Sequence, residues 1–216
     1  MYRSRLEKDL DELHDNLIKL GGMIEQAIAS SVNALVNQNS ELAQKVIAGD
    51  KEINQLSEQI ESEALKILLR QQPVASDLRV ISTALKMVTD MERIGDQARD
   101  ICSIVLHLCE EQYHTKLKIT PQMGDIVKNM VGACIDAFVR QDIELARRVI
   151  AMDDEVDALF STVKDMMIEL IKKKPQYADY AIYLMMVAKY FEKIGDHAEN
   201  IAEWVIYSQT GERKHD

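Results

Sequence analysis

The sequence is internally duplicated, and this duplication constrains the fold more than any other feature. When the chain is shifted by 103 positions, ALVNQNSELAQKVIAGDKEIN (34–54) lies over AFVRQDIELARRVIAMDDEVD (137–157), with 11 of 21 positions identical. A shift of 100 positions places ERIGDQARD (92–100) over EKIGDHAEN (192–200). Repetition over this length predicts two copies of one structural unit.

The pattern of apolar residues predicts that each copy is a unit of three helices. Small polar residues and prolines gather at five breaks, which divide the chain into six segments. The breaks are NQNS (37–40), QQPVAS (71–76), KLKITPQ (116–122), RQD (140–142) and KKKPQYAD (172–179). We therefore predict an all-α fold of two pseudo-symmetric three-helix bundles, the first over 1–115 and the second over 116–216.

Helical periodicity is clear in the later segments, where apolar residues recur at spacings of three and four. In the fifth segment the series is Val149, Met152, Val156, Leu159, Val163, Met166 and Leu170. In the sixth it is Leu184, Val187, Phe191, Ile194, Ala198, Ile201 and Val205. Each series predicts the buried face of an amphipathic helix in a bundle.

The overall charge and composition narrow the classes of function. A net charge of -10 argues against nucleic-acid binding, which requires a basic surface to neutralise phosphates. The longest apolar run, AIYLMMVA (181–188), is too short to span a membrane, and the charged N-terminus does not resemble a signal peptide. We expect a cytoplasmic protein that meets membranes only through a partner. Motifs for a nucleophile elbow, a phosphate-binding loop or a CxxC pair are absent from the sequence.

Acidic residues recur at a spacing of four in both copies, which places each pair on one face of a helix. The pairs are Glu92 with Asp96, Glu192 with Asp196, Asp50 with Asn54, and Asp153 with Asp157. Because each pair lies beside the apolar series rather than within it, we expect these side chains on the solvent side of the helices, along a groove.

Two interpretations of the acidic pairs stay open on physical grounds. They could form an ordinary solvated face, screened by Arg93, Lys189 and Lys193. Alternatively, oxygen ligands from two helices could bind a hard cation such as Mg²⁺, Mn²⁺, Ca²⁺ or iron. Gly95 and Gly195, next to the acids, favour a close approach of another helix or a ligand, since glycine inside a helix costs about 1 kcal/mol relative to alanine.

The repeated ERIGDQARDI and EKIGDHAENIAEW, with SDLRVISTALKM (76–87), AGDKEIN and AMDDEVD, resemble the PhoU family of bacterial phosphate-transport accessory and regulatory proteins. The resemblance covers nearly the whole chain. It implies two three-helix bundles in a homodimer, with metal clusters on the surface at the repeated acids. The implied ions are iron, manganese, magnesium or zinc. The implied ligands are Asp50, Asn54, Glu92 and Asp96 in the first copy, and Asp153, Asp157, Glu192 and Asp196 in the second.

The same resemblance implies a function that composition and spacing do not reveal. Proteins of this family restrain phosphate uptake and the phosphate-starvation response, and they associate with the phosphate ABC transporter, through its ATPase subunit, and with a sensor histidine kinase. Asn54 stands where the second copy has Asp157, and Asn200 stands where the first has Asp100. We therefore expect the two copies to differ in metal binding, with the first weaker.

Two other functions remain as alternatives. A ferritin-like di-iron enzyme would need two inward-facing Glu-x-x-His pairs, and the chain has such a spacing at Glu111 and His114, beside a predicted break. A helical adaptor without metal would keep the regulatory function and leave the acids as a solvated face. His197 lies off the face of Glu192 and is interpreted as a surface histidine. The protein is expected to be non-enzymatic.

Overall fold

The computed structural model describes residues 2–71, 73–110 and 119–212, and it is helical almost throughout these ranges. Six long helices follow one another, with one short 3-10 turn before the last. They are α1 (Tyr2–Asn37), α2 (Ser40–Gln71), α3 (Ala75–Glu110), α4 (Ile119–Arg140), α5 (Ile143–Lys173) and α6 (Ala178–Thr210). The predicted all-α fold of six helices is confirmed. The predicted boundary between residues 115 and 116, and the pair Glu111 and His114, lie outside the described residues.

The duplicated sequence builds the same turn twice. Gln38 between α1 and α2 and Gln141 between α4 and α5 both adopt left-handed backbone, with φ of 48° and 55°. The residue after each glutamine accepts a hydrogen bond from a backbone N–H of the following helix. Asn39 Oδ1 accepts from Leu42 N at 3.0 Å, and Asp142 Oδ1 accepts from Leu145 N at 2.9 Å. These side chains satisfy amide groups that the first turn of a helix leaves unpaired.

The helices assemble as two units that share one core. Helices α1, α2 and α3 contact one another, and so do α4, α5 and α6. The two units meet where α1 contacts α4 and α3 contacts α6, so α2 and α5 lie on opposite outer sides. Buried apolar residues of both units form one hydrophobic cluster. Its burial is the main source of stability, because apolar surface removed from water contributes about 25 cal/mol per Å².

The apolar series predicted for α6 is confirmed, since all seven of its residues are buried. The series in α5 is narrower than predicted. Val149, Val156 and Val163 are buried, but Met166 is 42% exposed and Met167 is buried in its place. This difference follows from the outer position of α5, which contacts only α4, α6 and the 3-10 turn among the described elements. A helix with neighbours on one side needs only a narrow apolar face.

Polar contacts also join the two units across α3 and α6. His197 Nδ1 lies 2.9 Å from Asp90 Oδ1, and Thr83 Oγ1 donates to the backbone carbonyl of Trp204 at 3.3 Å. The sequence suggested that His197 is a surface histidine. In the structure its side chain instead takes part in a contact between the two halves. Within the described residues, no helix combines the length and apolar character needed to cross a membrane.

Candidate metal centre

Three carboxylates from two helices converge between α5 and α6. Asp153 and Asp157 lie one turn apart on α5, and Asp196 lies on α6. One oxygen from each of the three groups can be chosen so that all lie within 4.8 Å of one another. Unscreened like charges at this separation repel, so the arrangement is electrostatically unfavourable unless protons or a cation offset it.

Asp153 is the most enclosed member of this cluster. The residue is only 8% exposed, and its buried Oδ1 has no hydrogen-bond partner. Gly195 of α6 provides the space for it, because a Cβ at that position would lie 2.5 Å from Asp153 Oδ1. Any other residue at 195 would displace the carboxylate. An unpartnered buried oxygen in a space kept open by glycine is the observation that points most strongly to a ligand here.

Burial and neighbouring charges both favour the protonated form of these acids. Burial is the larger cause for Asp153, and the negative charges of Glu199, Asp157, Asp196 and Glu192 add to it, raising its pKa from 3.8 to about 7. Burial, followed by the charges of Glu192 and Asp196, also raises the pKa of Asp157. A bound cation would act in the opposite direction, since it stabilises the charged carboxylates.

Two lysines pair with the acids of α6. Lys189 Nζ lies 2.6 Å from Glu192, and Lys193 forms an ion pair with Asp196. The screening of these acids that the sequence suggested is therefore present in part. It does not extend to α5: within the described residues, neither Asp153 nor Asp157 forms a hydrogen bond or an ion pair. The α5 side of the cluster thus has no directly paired cation within the described residues, although the charge of Lys189 partly offsets the rise in the pKa of Asp157.

The corresponding acids of the first half have a different partner. The Nη1 group of Arg99 lies 3.0 Å from Asp50 Oδ2 and 2.7 Å from Asp96 Oδ1. Its Nη2 group lies 3.0 Å from Asp100 Oδ1. Asn54 Nδ2 also donates to Asp50 Oδ2, at 3.2 Å. One guanidinium therefore joins α2 to α3 where the second half brings three carboxylates together.

The structure places the remaining predicted residue, Glu92, half-buried on α3, and Arg93 pairs with Asp96 at 3.2 Å. The expectation that the acids lie on the solvent side is wrong for three of them. Asp50, Asp153 and Glu192 are only 7%, 8% and 9% exposed. The close approach of the two helices in each unit, next to Gly95 and Gly195, encloses these side chains between them.

Arg99 and Glu199 are the residues that the sequence interpretation missed. They are equivalent under the shift of 100 positions, so the comparison of ERIGDQARD with EKIGDHAEN already contained the signal.

Nearby charges shift the pKa values of both Arg99 and Glu199. Partial burial lowers the pKa of Arg99, but the hydrogen bond and charge of Asp100, with the charges of Asp96 and Asp50, outweigh it and raise that pKa. Burial, then the charge of Glu203, raises the pKa of Glu199.

The donor set of the second half fits a hard metal ion. Asp153, Asp157 and Asp196 supply carboxylate oxygens, which are the ligands preferred by Mg²⁺, Mn²⁺ and Ca²⁺. The unpartnered Oδ1 of Asp153 is available to such an ion. The set contains no sulfur or imidazole ligand among the described residues, so it resembles neither a structural zinc site of cysteine and histidine nor a copper site.

The structure is that of a helical repeat protein, with two three-helix units in tandem. Each unit encloses acidic side chains between its last two helices, and those of the second unit form a candidate cation site. The chain belongs to the PhoU family, because the family model described as the PhoU domain matches residues 17–105 and again residues 120–205.

Relatives of similar length agree with this assignment. The chain is 35% identical to a protein from Clostridium acetobutylicum named phosphate-specific transport system accessory protein PhoU homolog, over 99% of this chain and 98% of that protein. It is 30% identical to phosphate-specific transport system accessory protein PhoU from Escherichia coli, over 94% of this chain and 85% of that protein. These relatives are named as accessory proteins and not as enzymes.

Solved structures confirm the architecture. The crystal structure of PhoU from Pseudomonas aeruginosa superposes with a TM-score of 0.92 at 36% identity, covering 95% of this chain and 99% of that one. The crystal structure of the phosphate transport system regulatory protein PhoU from Streptococcus pneumoniae gives a TM-score of 0.89 at 25% identity, covering both chains completely. The six-helix fold is therefore the fold of this family.

Proposed function

We propose that this protein is a non-enzymatic regulator of phosphate uptake that restrains the phosphate-starvation response when phosphate is sufficient. The observation that carries the proposal is the similarity over almost the entire chain to proteins named as accessory to the phosphate-specific transport system. The match spans both helical units, so it does not depend on one shared domain alone.

The partners in this proposal are the ATPase subunit of the phosphate ABC transporter and a sensor histidine kinase. The protein would act in the cytoplasm as a homodimer and would meet the membrane through these partners. Its net charge of -10 suits docking on basic protein surfaces. Exposed acids on the outer helix α5, such as Asp154 and Asp157, are accessible to such a surface.

A second part of the proposal is that α5 and α6 bind a divalent metal ion. Asp153, Asp157 and Asp196 would hold it, and Glu192 could join them if Lys189 is displaced. Iron, manganese, magnesium and zinc are the candidates, and the all-oxygen donor set favours the first three. When bound, the ion would neutralise the clustered carboxylates and link the two helices. The support is the unpartnered oxygen of Asp153 and the space that Gly195 leaves for it.

Deletion of the gene in its host bacterium tests the regulatory function. Grown with ample phosphate, the deletion strain should take up phosphate faster than the parent and should express starvation-response genes that the parent keeps silent. The gene restored in trans should reverse both effects. Unchanged uptake and unchanged expression in the deletion strain would contradict the proposal.

A pull-down with the transporter ATPase subunit tests the docking surface. Charge reversal at Asp153 or Glu192 is unsuitable, because both are buried and the variants would be misfolded. Asp154→Lys is an exposed change outside the proposed metal ligands and should weaken binding, whereas Asp165→Lys, further along α5, should not. Normal binding by Asp154→Lys would show that this acidic surface is not the contact.

A helical adaptor without metal is the second candidate, and the lysine pairs of Glu192 and Asp196 favour it. Metal analysis of protein purified without chelator separates the two candidates. Metal that is retained by the wild type and lost in Asp196→Ala supports the metal-binding proposal. No retained metal, and no binding on addition of manganese or ferrous iron, leaves the adaptor. An oxygen-consumption assay with ferrous iron tests the di-iron enzyme alternative.

A further inference from the structure

The two acidic sites occupy equivalent positions but differ in charge. Five residues of the first half correspond through the duplication to five of the second. The pairs are Asp50 with Asp153, Asn54 with Asp157, Glu92 with Glu192, Asp96 with Asp196, and Arg99 with Glu199. The first set contains three carboxylates, one amide and one guanidinium, whereas the second set contains five carboxylates.

The backbone around the two sites does not account for this difference. Asp50 and Asp153 are enclosed to nearly the same extent, at 7% and 8% exposure. Each lies beside the glycine of the following acidic motif: a Cβ at Gly95 would lie 3.7 Å from Asp50 Oδ1, and one at Gly195 would lie 2.5 Å from Asp153 Oδ1. Both units therefore enclose an aspartate between their last two helices, and the contrast comes from the two positions that differ, Arg99 against Glu199 and Asn54 against Asp157.

Arg99 bridges the helices of the first half as a bound cation would. A single Nη1 group contacts Asp50 of α2 at 3.0 Å and Asp96 of α3 at 2.7 Å. These two residues are the equivalents of Asp153 and Asp196, which are brought together in the second half without a shared partner. Charge-assisted hydrogen bonds from a guanidinium to carboxylates are among the stronger polar contacts in proteins.

We propose that Arg99 is the built-in cation of the first half, so that only the second half binds an exchangeable metal ion. This inference rests on the proposed metal binding at Asp153, Asp157 and Asp196. It replaces the expectation from sequence that Asp50, Asn54, Glu92 and Asp96 also form a metal site. Metal supply then affects the stability of the α5–α6 contact but not that of the α2–α3 contact.

A metal ion at the first site would face a larger electrostatic obstacle than at the second, where Lys193 pairs with Asp196 but no basic side chain pairs with Asp153 or Asp157 within the described residues. It would have to displace the guanidinium from Asp50 and Asp96, and the displaced charge would stay close by because Arg99 also pairs with Asp100. Asp50 Oδ1 and Asn54 Oδ1 are buried without partners, but one carboxylate oxygen and one amide oxygen are a weak donor set for a dication. Repulsion between the dication and Arg99 would reduce binding further.

The test is a manganese titration of chelator-stripped protein, with bound metal measured after equilibrium dialysis. The variants are Arg99→Glu, which copies position 199, and Arg99→Glu combined with Asn54→Asp, which gives the first half the same five acidic side chain types as the second. Both should bind about twice as much manganese per chain as the wild type, through a new set of carboxylate ligands. Arg99→Gln frees Asp50 and Asp96 from the guanidinium without adding a carboxylate, and it should gain a weaker first-half site than Arg99→Glu does.

If the arginine variants misfold, single substitutions in the wild-type background still test which half binds manganese. Asp196→Asn should abolish manganese binding, whereas Asp96→Asn, its equivalent, should leave the amount bound unchanged. Loss of part of the bound manganese in Asp96→Asn would overturn the inference, because the first half would then bind metal beside Arg99. A well-folded Arg99→Glu, Asn54→Asp variant that gains no manganese would overturn it as well.

Failure of the proposed metal binding by the second half can be distinguished from failure of the inference about Arg99. If the wild type binds no manganese but the combined variant does, the inference about Arg99 stands and the second-half site is wrong. Thermal unfolding followed by circular dichroism supplies an independent measurement. Manganese should raise the midpoint for the wild type and not for Asp196→Asn, since a ligand stabilises the state that binds it.

Discussion

In the first half of the molecule, Asp50 and Asp96 share the guanidinium of Arg99, whereas in the second half Asp153 and Asp157 form no ion pair within the described residues. Both halves descend from the same repeated sequence and enclose their acids between two helices. The difference shows that a duplicated fold can enclose an equivalent aspartate in both halves, while the side chains around it decide whether it pairs with a basic residue.

Loss of a second-half carboxylate should have the largest effect on this contrast. Asp153→Asn removes a charge from the candidate ligand set and should weaken manganese binding about 100-fold, equivalent to about 3 kcal/mol. The matched change Asp50→Asn in the first half should leave manganese affinity unchanged. Isothermal titration calorimetry of the two variants checks this, and equal losses in both would remove the distinction between the halves.

Removal of Arg99 should destabilise the metal-free protein. Arg99→Ala leaves the buried Asp50 with only Asn54 as a donor, at a cost of about 2 kcal/mol in the free energy of unfolding. Glu199→Ala is the matched control and should stabilise the metal-free protein, because the charge of Glu199 raises the pKa of Asp153 by repulsion. Urea unfolding in the presence of EDTA measures both. A destabilised Glu199→Ala would contradict this explanation.

The pH dependence of stability should report on Asp153. Burial, followed by the charges of Glu199, Asp157, Asp196 and Glu192, raises its pKa to about 7, above the 3.8 of a solvated aspartate. The native state therefore holds a proton that the unfolded chain loses between about pH 4 and 7, so the stabilisation is present below pH 4 and is lost as pH rises through 7.

Without metal, the free energy of unfolding should thus fall by about 2 kcal/mol between pH 5 and 7.5, less than the full linkage allows because relaxation and water reduce such shifts. Asp153→Asn should show a shallower fall, and added manganese should oppose it in the wild type. Chemical unfolding across this pH range, with EDTA or with manganese, is the measurement. An identical pH profile for Asp153→Asn and the wild type would refute the role of this carboxyl.

Substitution of Gly195 or Gly95 should have the smallest effects on manganese affinity. The two positions differ in what an added Cβ would meet. Gly195→Ala places a Cβ 2.5 Å from Asp153 Oδ1, so the carboxylate must move and manganese affinity should fall about tenfold. Gly95→Ala meets the Cγ2 methyl of Ile53 at 3.0 Å, a contact that a shift of a few tenths of an ångström can relieve, and manganese binding should not change. Equal affinities in the two variants would show that space beside Asp153 is not needed for metal.

The fold was largely predictable because its causes are local. The spacing of Leu184, Val187 and Phe191 indicates a helix, and the polar breaks indicate where each helix ends. The buried position of Asp153 was not predictable in this way. It depends on how closely α5 approaches α6 at Gly195, which is a property of tertiary packing. Met166 illustrates the same limit, since its exposure depends on which side of α5 has neighbours.

The identities of the candidate ligand residues could be predicted from the sequence. Whether a basic side chain neutralises their charges could not. The repeated acids identified Asp153, Asp157 and Asp196, and the substitution of Asn54 for Asp157 indicated a weaker first site. The reach of Arg99 from α3 to Asp50 on α2 was not predictable, because helical spacing does not pair residues that are 49 positions apart in sequence.

Anomalous diffraction from crystals grown with manganese would compare the two halves in one measurement. We predict anomalous density between Asp153, Asp157 and Asp196, and none between Asp50 and Asp96, where the Arg99 guanidinium should remain in contact with both carboxylates. Density of comparable height at both positions, or at the first-half position alone, would contradict the difference between the halves that is described above.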